Sequence, residues 1–540
     1  MITPDDELAS RHTIPRWLSI KESIATGGFT SFAPTVKVPI QADLLRNAHT
    51  FLDNEFEKRK SAWLQTRDWY DAEELVSLAL VANTWSDGVV LQAAKSLLRS
   101  DVSNDSVKRF AQRFLHGALT PTLSALPISE AGMRLEIAKR KRLLRLNPRD
   151  ALRLTETALL HANLGQLKPS EALIERALIL SPDDRYVLRS AARFFVHANQ
   201  PDRAIAVLSK SRRTLDDPWL NAALLATEAA HGKSPRGWKR AKALLRDGRF
   251  TDRDLSELAA QMGTLEIDGG SRKLALRLLR KSAISPTENA VAQIAWVGTH
   301  SHVFQPEELL TDLSLSHEAF ARSAYHNGAW SDALAASEAW HDIERFSTRP
   351  AIFGSFIASI AGTSMARGAA LAEAALVANP SNSTLLNNLA VLRAYQGDVD
   401  TARLALDKAI ASSPALTPAL LATSGLVAFR AGNVSEGIEK YQAAIDKAVQ
   451  SKNADEALRA YCFLGREVSR VDVELVGEFV DNIDRAIEQF KKRGLPPSKE
   501  IVLIREELAS TKLSFADPSW GPLSNIDVTK VMDFLAGNEP

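Results

Sequence analysis

The chain has 540 residues, several times the usual domain size, so a single compact core is not expected. Its apolar fraction of 45% and charged fraction of 24% are ordinary for a folded protein and exclude global disorder. Because 66 lysine and arginine residues nearly balance 65 aspartate and glutamate residues, the total charge predicts no general attraction to nucleic acid or membrane. A single cysteine excludes both an intramolecular disulfide and a cluster of thiolate metal ligands.

Targeting and membrane signals are weak. The first seven residues, Met1–Glu7, lack the basic start and the apolar core of a signal peptide. The longest uncharged run, Ala351–Ala366, is interrupted by glycine, serine and threonine, and it falls short of the roughly 18 apolar residues that a membrane span needs. We therefore expect a cytoplasmic protein with no membrane partner.

Apolar residues recur every three or four positions along most of the chain, which is the helical period. Prolines show a longer period, because Pro148 and Pro182 are 34 residues apart and so are Pro380 and Pro414. Small residues recur at fixed offsets between the prolines, where two helices must approach closely: Ala158, Ala192, Ala390 and Gly425. The pattern predicts a series of similar helix pairs.

This pattern resembles the tetratricopeptide repeat, a 34-residue helix pair with small residues at positions 8 and 20, alanine at 27 and proline at 32. The resemblance covers about residues 151–500. It implies an all-α, right-handed helical-repeat solenoid with irregular terminal caps, in which each pair covers its neighbour's apolar stripe. It places repeat units near these residues: Ala151, Arg185, Trp219, Leu255, Ser314, Arg349, Ser383 and Pro418.

Five segments follow from this register. Residues 1–60 are predicted to be an irregular N-terminal segment or cap, and residues 61–150 a helical region with degenerate repeats. Residues 151–313 form a basic half of the repeat array, and residues 314–500 form a half with an apolar groove. Residues 501–540 hold the end of a C-terminal helix and a tail.

Motifs for catalysis are missing. No phosphate-binding loop and no dinucleotide fingerprint occurs. His300 and His302 stand near Glu307 and Glu308, but the spacing does not fit the three or four ligands of a zinc site, so a solvated loop is the better interpretation. Cys462 fits a buried helical position. We predict no enzyme activity, catalytic residue, cofactor or metal site, although an enzyme in the first 130 residues stays open.

The resemblance implies that positions 2, 5, 9 and 12 of each first helix line a concave groove. The early groove then looks basic, with Tyr186, Arg189 and Arg193, and the two arginines are expected to bind acidic groups. The later groove looks apolar, and its candidate partner-binding residues are Phe353, Ile357, Ile360, Asn387, Val391, Leu426 and Phe429. The cationic residues of the family's clamp for chaperone tails are missing near Asn387, so that partner is disfavoured.

Two interpretations of this groove remain open. A partner's amphipathic helix or extended segment fits an apolar inner face. Neighbouring helices or the chain's own termini could instead fill it, since a long exposed apolar strip favours aggregation.

Charge is distributed unevenly along the chain. Between Arg134 and Lys281 there are 30 lysine and arginine residues against 17 aspartate and glutamate residues. Solvated outer helix faces have this composition, and so do surfaces that bind nucleic acid or an acidic protein. Few aromatic residues are interspersed to stack bases. The candidate basic patch comprises Lys139, Arg140, Arg236, Lys239, Arg240, Arg272, Lys273 and Arg277.

The sequence therefore predicts a non-catalytic scaffold that binds a protein or peptide partner in the concave groove of a repeat solenoid. The alternative is nucleic-acid or anionic-ligand binding through residues 134–281.

Overall fold

The computed structural model describes residues 11–18, 48–81, 87–100, 129–301, 303–362, 364–472, 474–493 and 497–511, together with residues 108, 111–112 and 114–115. These residues form α-helices joined by turns and three short 3₁₀ helices, without a β-strand. The predicted all-α class is therefore confirmed. Most of the predicted N-terminal cap, the C-terminal tail after residue 511, and His302 lie outside the described residues.

The chain divides into two compact units. Unit one comprises Met1–Arg11, Ala162–Leu167 and Gly298–Pro540. Unit two comprises His12–His161 and Lys168–Val297. The predicted five-segment organisation is not tested by this division and stays a prediction.

Unit two contains an N-terminal group of helices followed by helix pairs. Its helices, some of which extend a few residues beyond the unit, are α1 (Ala48–Thr66), α2 (Trp69–Val81), α3 (Gly88–Arg99), α4 (Glu130–Leu146), α5 (Ala151–Asn163), α6 (Leu167–Leu180), α7 (Arg185–His197), α8 (Pro201–Lys210), α9 (Pro218–Ala230), α10 (Trp238–Arg246), α11 (Asp252–Asp268), α12 (Arg272–Ala283) and α13 (Glu288–Ser301).

Unit one continues the alternation of first and second helices and ends in two helices that depart from it. Its helices are α14 (His317–His326), α15 (Trp330–Ile343), α16 (Arg349–Ala361), α17 (Met365–Ala378), α18 (Ser383–Tyr395), α19 (Val399–Ser412), α20 (Pro418–Arg430), α21 (Val434–Gln450), α22 (Ala454–Val468), α23 (Val476–Lys492) and α24 (Lys499–Ala509).

First helices begin within three residues of each predicted repeat start. The local reason is capping. The Asp184 carboxylate accepts a hydrogen bond from the Val187 amide at the start of α7, and the Thr417 hydroxyl accepts one from the Leu420 amide at the start of α20. Pro418 then occupies the first turn of α20, where it displaces no helical hydrogen bond.

Successive first helices also pack side by side within each unit. In unit two, α7 packs on α9 and α9 on α11. In unit one, the same contact runs from α16 through α18 and α20 to α22. Each unit is thus a stack of helix pairs of the solenoid kind, and its first helices share one face, which we call the inner face.

Close helix approach makes Gly425 intolerant of a side chain. A Cβ atom at Gly425 would lie 2.6 Å from Cδ2 of Tyr441 and 2.9 Å from the carbonyl oxygen of Gly437 on α21. The same atom at Gly477 on α23 would meet nothing within 4 Å.

We expect Gly425→Ala to destabilise unit one by about 1–3 kcal/mol because α20 and α21 must separate. The matched change Gly477→Ala should instead stabilise the helix by about 0.5–1 kcal/mol. Hydrogen exchange of α20 and α21 measures the difference. Equal protection in the two variants would contradict the packing described here.

Candidate functional site

An extended segment of the chain covers the inner face of unit two. Residues 12–18, which we call the strap, have no helical structure. Their burial alternates as expected for an extended chain, with Thr13, Pro15 and Trp17 buried and the residues between them half-buried. Every second side chain from Thr13 to Trp17 is therefore buried.

Two amide side chains bind the main chain of the strap. Gln261 on α11 accepts, through Oε1, a hydrogen bond from the Thr13 amide at 2.8 Å and another from the Thr13 hydroxyl at 3.1 Å. Asn289 on α13 donates, through Nδ2, to the carbonyl oxygen of Ile14 at 3.2 Å. The bonds to the Thr13 amide and the Ile14 carbonyl oxygen involve backbone groups that every peptide presents, whereas the third bond involves the Thr13 side chain.

The C-terminal half of the strap is held on α7. The Tyr186 hydroxyl donates a hydrogen bond to the carbonyl oxygen of Leu18 at 3.1 Å. The Trp17 indole is fully buried and packs edge-on against Phe194, with ring centroids 5.8 Å apart. Tyr186 was predicted to line the groove, and it does contact a bound segment, although that segment belongs to the chain itself.

Arg16 binds a carboxylate at the start of α13. Its Nη1 donates to Oε1 of Glu288 at 2.6 Å, and both side chains are 8% exposed. The second carboxylate oxygen of Glu288, Oε2, is buried without a hydrogen-bond partner among the described residues. A charge-assisted bond between desolvated groups is a strong contact, and an unfilled acceptor beside it is unusual.

Arg189, which was predicted to bind acidic groups of a partner, instead binds groups within unit two. Its guanidinium donates to both carboxylate oxygens of Glu257, at 3.0 and 3.2 Å, and to the carbonyl oxygen of Trp219 at 3.2 Å. Arg193 is half-buried beside His197, where burial and the Arg193 charge lower the His197 pKa to about 4. The charged strap residue Arg16 contacts an acidic group, Glu288, and binding of a partner's acidic groups by Arg189 and Arg193 stays a prediction.

Several arginines surround one buried carboxylate in unit one. Glu318 on α14 accepts hydrogen bonds from Nε and Nη2 of Arg11, both at 3.0 Å, and a third from Arg349. Arg322 lies 3.8 Å away. Burial opposes ionisation, yet these guanidiniums hold the pKa of Glu318 well below its ordinary value of 4.5.

The C-terminal helix α24 packs on two first helices of unit one, α16 and α22. Ile501, Ile504 and Leu508 of α24 are at most 1% exposed and join the same core cluster as the first helices. Glu500 on α24 accepts hydrogen bonds from the Tyr325 hydroxyl at 2.8 Å and from Arg459 Nε at 2.9 Å. A helix of the chain thus takes the place predicted for a partner.

The predicted apolar groove residues are buried within the helix packing of unit one. All of them are at most 8% exposed: Phe353, Ile357, Ile360, Asn387, Val391, Leu426 and Phe429. A cavity beside Val391 and Leu426 has a volume of about 20 Å³, enough for about one water molecule. Of the two interpretations left open by the sequence, filling by the chain itself describes this conformation. Partner binding by these residues stays a prediction.

The candidate basic residues divide into paired and exposed groups. Arg140 binds Glu136 at 3.0 Å and Glu156 at 2.5 Å, and Arg240 binds Asp216. Lys139 is exposed and 3.9 Å from Glu136. The remaining candidates are exposed on or next to the second helices α10 and α12: Arg236, Lys239, Arg272, Lys273 and Arg277.

Catalytic and metal chemistry find no support in the described part of the chain. Burial raises the pKa of the Cys462 thiol, which disfavours the nucleophilic thiolate. Within the described ranges, no group of three histidine, cysteine, aspartate or glutamate residues is arranged to hold a metal ion. No described helix combines the length and apolar character of a membrane span.

No known family model matches the chain. No curated protein matches it either. Solved structures with a similar helical fold include Cut9 from the APC/C hetero-tetramer Cut9-Hcn1, with 14% identity, a TM-score of 0.34, and coverage of 91% of this chain and 97% of that chain. Yeast Tom70 has 12% identity, a TM-score of 0.28, and coverage of 87% and 95%. Human IFIT1, in a dimer with m7Gppp-AAAA, has 13% identity, a TM-score of 0.26, and coverage of 88% and 96%.

At these TM-scores the similarities add nothing to the helix-pair architecture already visible in the chain. The resemblance to the tetratricopeptide repeat is therefore supported by the fold, and family membership stays a prediction.

We expect Glu318→Gln to destabilise unit one by about 3–5 kcal/mol, because three arginines lose their buried counter-charge. The matched control is Glu338→Gln, which removes a partner of Arg367 from a pair whose side chains are 33% and 44% exposed and should cost less than about 1 kcal/mol. Thermal unfolding at pH 7 compares them. Equal melting temperatures would show that the Glu318 cluster adds little to stability.

Proposed function

We propose that the protein is a non-catalytic scaffold that binds a segment of a partner protein on its inner helix faces. The observation that carries the proposal is the binding of the strap by unit two. Gln261, Asn289 and Tyr186 hold main-chain atoms of an extended segment. A surface that already binds a polypeptide in this way has the chemistry to bind another.

Unit one suggests a second mode of the same function. Its inner face holds a helix, α24, through apolar residues and through Glu500. The surfaces of α16 and α22 that α24 contacts become available to a partner helix when α24 leaves them.

The test is affinity capture with the full-length chain, followed by titration with each captured protein. In a parent variant whose strap is weakened by Arg16→Ala and Trp17→Ala, adding Gln261→Ala and Asn289→Ala removes two hydrogen bonds to a bound partner backbone without also releasing the strap, so we expect about ten-fold weaker binding. The matched control is Arg203→Ala on the second helix α8, which removes two ion pairs, with Glu171 and Glu175 of α6. Partners that bind the variant with Gln261→Ala and Asn289→Ala as tightly as they bind the strap-weakened parent would overturn the proposal.

A second candidate, binding of an anionic ligand, is favoured by one helix. Arg272, Lys273, Arg277 and Arg280 of α12 are exposed. No ion pair of these four is found within the part of the chain that the structure describes. Four such cations on three turns of helix attract phosphates.

If this candidate is correct, duplex DNA binds at low salt with a log–log salt slope of about −0.9 for each phosphate contacted. The double variant Lys273→Ala and Arg277→Ala should make the salt slope less steep by the amount that about two phosphate contacts contribute. Arg203→Ala, which removes a cation already paired with Glu171 and Glu175, should leave the slope unchanged. Binding that is absent at low salt, or insensitive to salt, excludes this function.

A further inference from the structure

The strap contacts only one of the two carboxylate oxygens of Glu288 among the described residues. Glu288 is a buried residue at the start of α13, and Arg16 contacts one of its oxygens. The other oxygen is buried and has no hydrogen-bond partner among the described residues. Arginine can bind both oxygens of a carboxylate at once, which gives a stronger and more specific contact than a single bond. The strap is therefore a suboptimal ligand for the carboxylate that binds it.

The neighbouring position is specific for an aromatic side chain. Successive side chains of an extended peptide point to opposite sides. Arg16 accordingly reaches Glu288 on α13, while Trp17 reaches Phe194 on α7. Because Glu288 lies next to one strap position and Phe194 next to the following one, this face favours an arginine followed by an aromatic residue.

Gln261 also contacts the side chains of His12 and Thr13, and other hydrogen bonds to the strap involve its main chain. Gln261 and Asn289 bind the backbone of Thr13 and Ile14, and Tyr186 binds the carbonyl oxygen of Leu18. These bonds fix the direction and register of an extended chain without selecting its side chains.

We propose that the inner face of unit two is a specificity site for an extended partner segment carrying an arginine followed by an aromatic residue, and that the strap is its intramolecular competitor. This inference rests on the proposed scaffold function and names the chemistry of its ligand. The partner's arginine fills both oxygens of Glu288, its aromatic side chain replaces Trp17 against Phe194, and its backbone takes over the bonds to Gln261 and Asn289.

Competition has a measurable consequence. A ligand that binds only molecules whose strap has left the inner face has a lower apparent affinity when few molecules are in that state. Weakening the strap must therefore strengthen binding of an added peptide, although no contact to the peptide itself has changed. A site without an internal competitor shows no such gain.

The test uses a fluorescent synthetic peptide with the sequence of residues 12–18, HTIPRWL, added to the full-length protein. We expect the double variant Arg16→Ala and Trp17→Ala to bind this peptide about 10–100-fold more tightly than the wild type. A peptide with alanine in place of the arginine should lose at least about ten-fold in affinity for that variant. Adding Glu288→Gln should weaken binding of the arginine peptide and leave binding of the alanine peptide unchanged.

Equal affinity of the peptide for the wild type and the strap variant overturns the competition, and equal affinity of the two peptides overturns the specificity. Arg16→Ala alone is the milder variant if the double one loses its helical circular dichroism. The affinity-capture experiment tests the proposed scaffold function independently of the peptide's specificity. If partners depend on Gln261 and Asn289 while the peptide shows no preference for arginine, the scaffold function survives and the present inference fails.

Discussion

The structure depends on covering the faces that the first helices share. Stacked helix pairs bury most of their apolar surface against each other, yet each stack retains an inner face of side chains on its first helices. The chain closes these faces with its own segments, the strap in unit two and α24 in unit one. An exposed strip of this length would otherwise promote aggregation.

Charge is the second feature of these faces. Glu318, Glu288 and Glu257 are buried acidic side chains, and each is paired with an arginine. Buried pairs add little net stability compared with apolar packing, but losing one partner is costly. The pairs of Glu288 with Arg16 and of Glu318 with Arg11 therefore help to fix the position of the N-terminal segment, and they are suited to specificity.

The sequence was sufficient to predict the helices and their order, because proline spacing, capping residues and small residues at close contacts are all local signals. It was not sufficient to predict which charged residues pair on the unit-two face. Arg189 and Glu257 are 68 residues apart, and Arg16 and Glu288 are 272 apart, so only the fold brings these charges together. The strap has no helical periodicity in the sequence. Arg16 and Trp17 are the residues whose side chains could have indicated that it binds an inner face.

The seating of the strap is tested most directly by hydrogen exchange of residues 11–18 in the full-length protein. The Thr13 amide donates to a buried glutamine, so it should exchange much more slowly than in the free peptide, and Gln261→Ala should speed that exchange. Exchange of the segment at the free-peptide rate in the wild type would contradict the account that the chain occupies its own inner face.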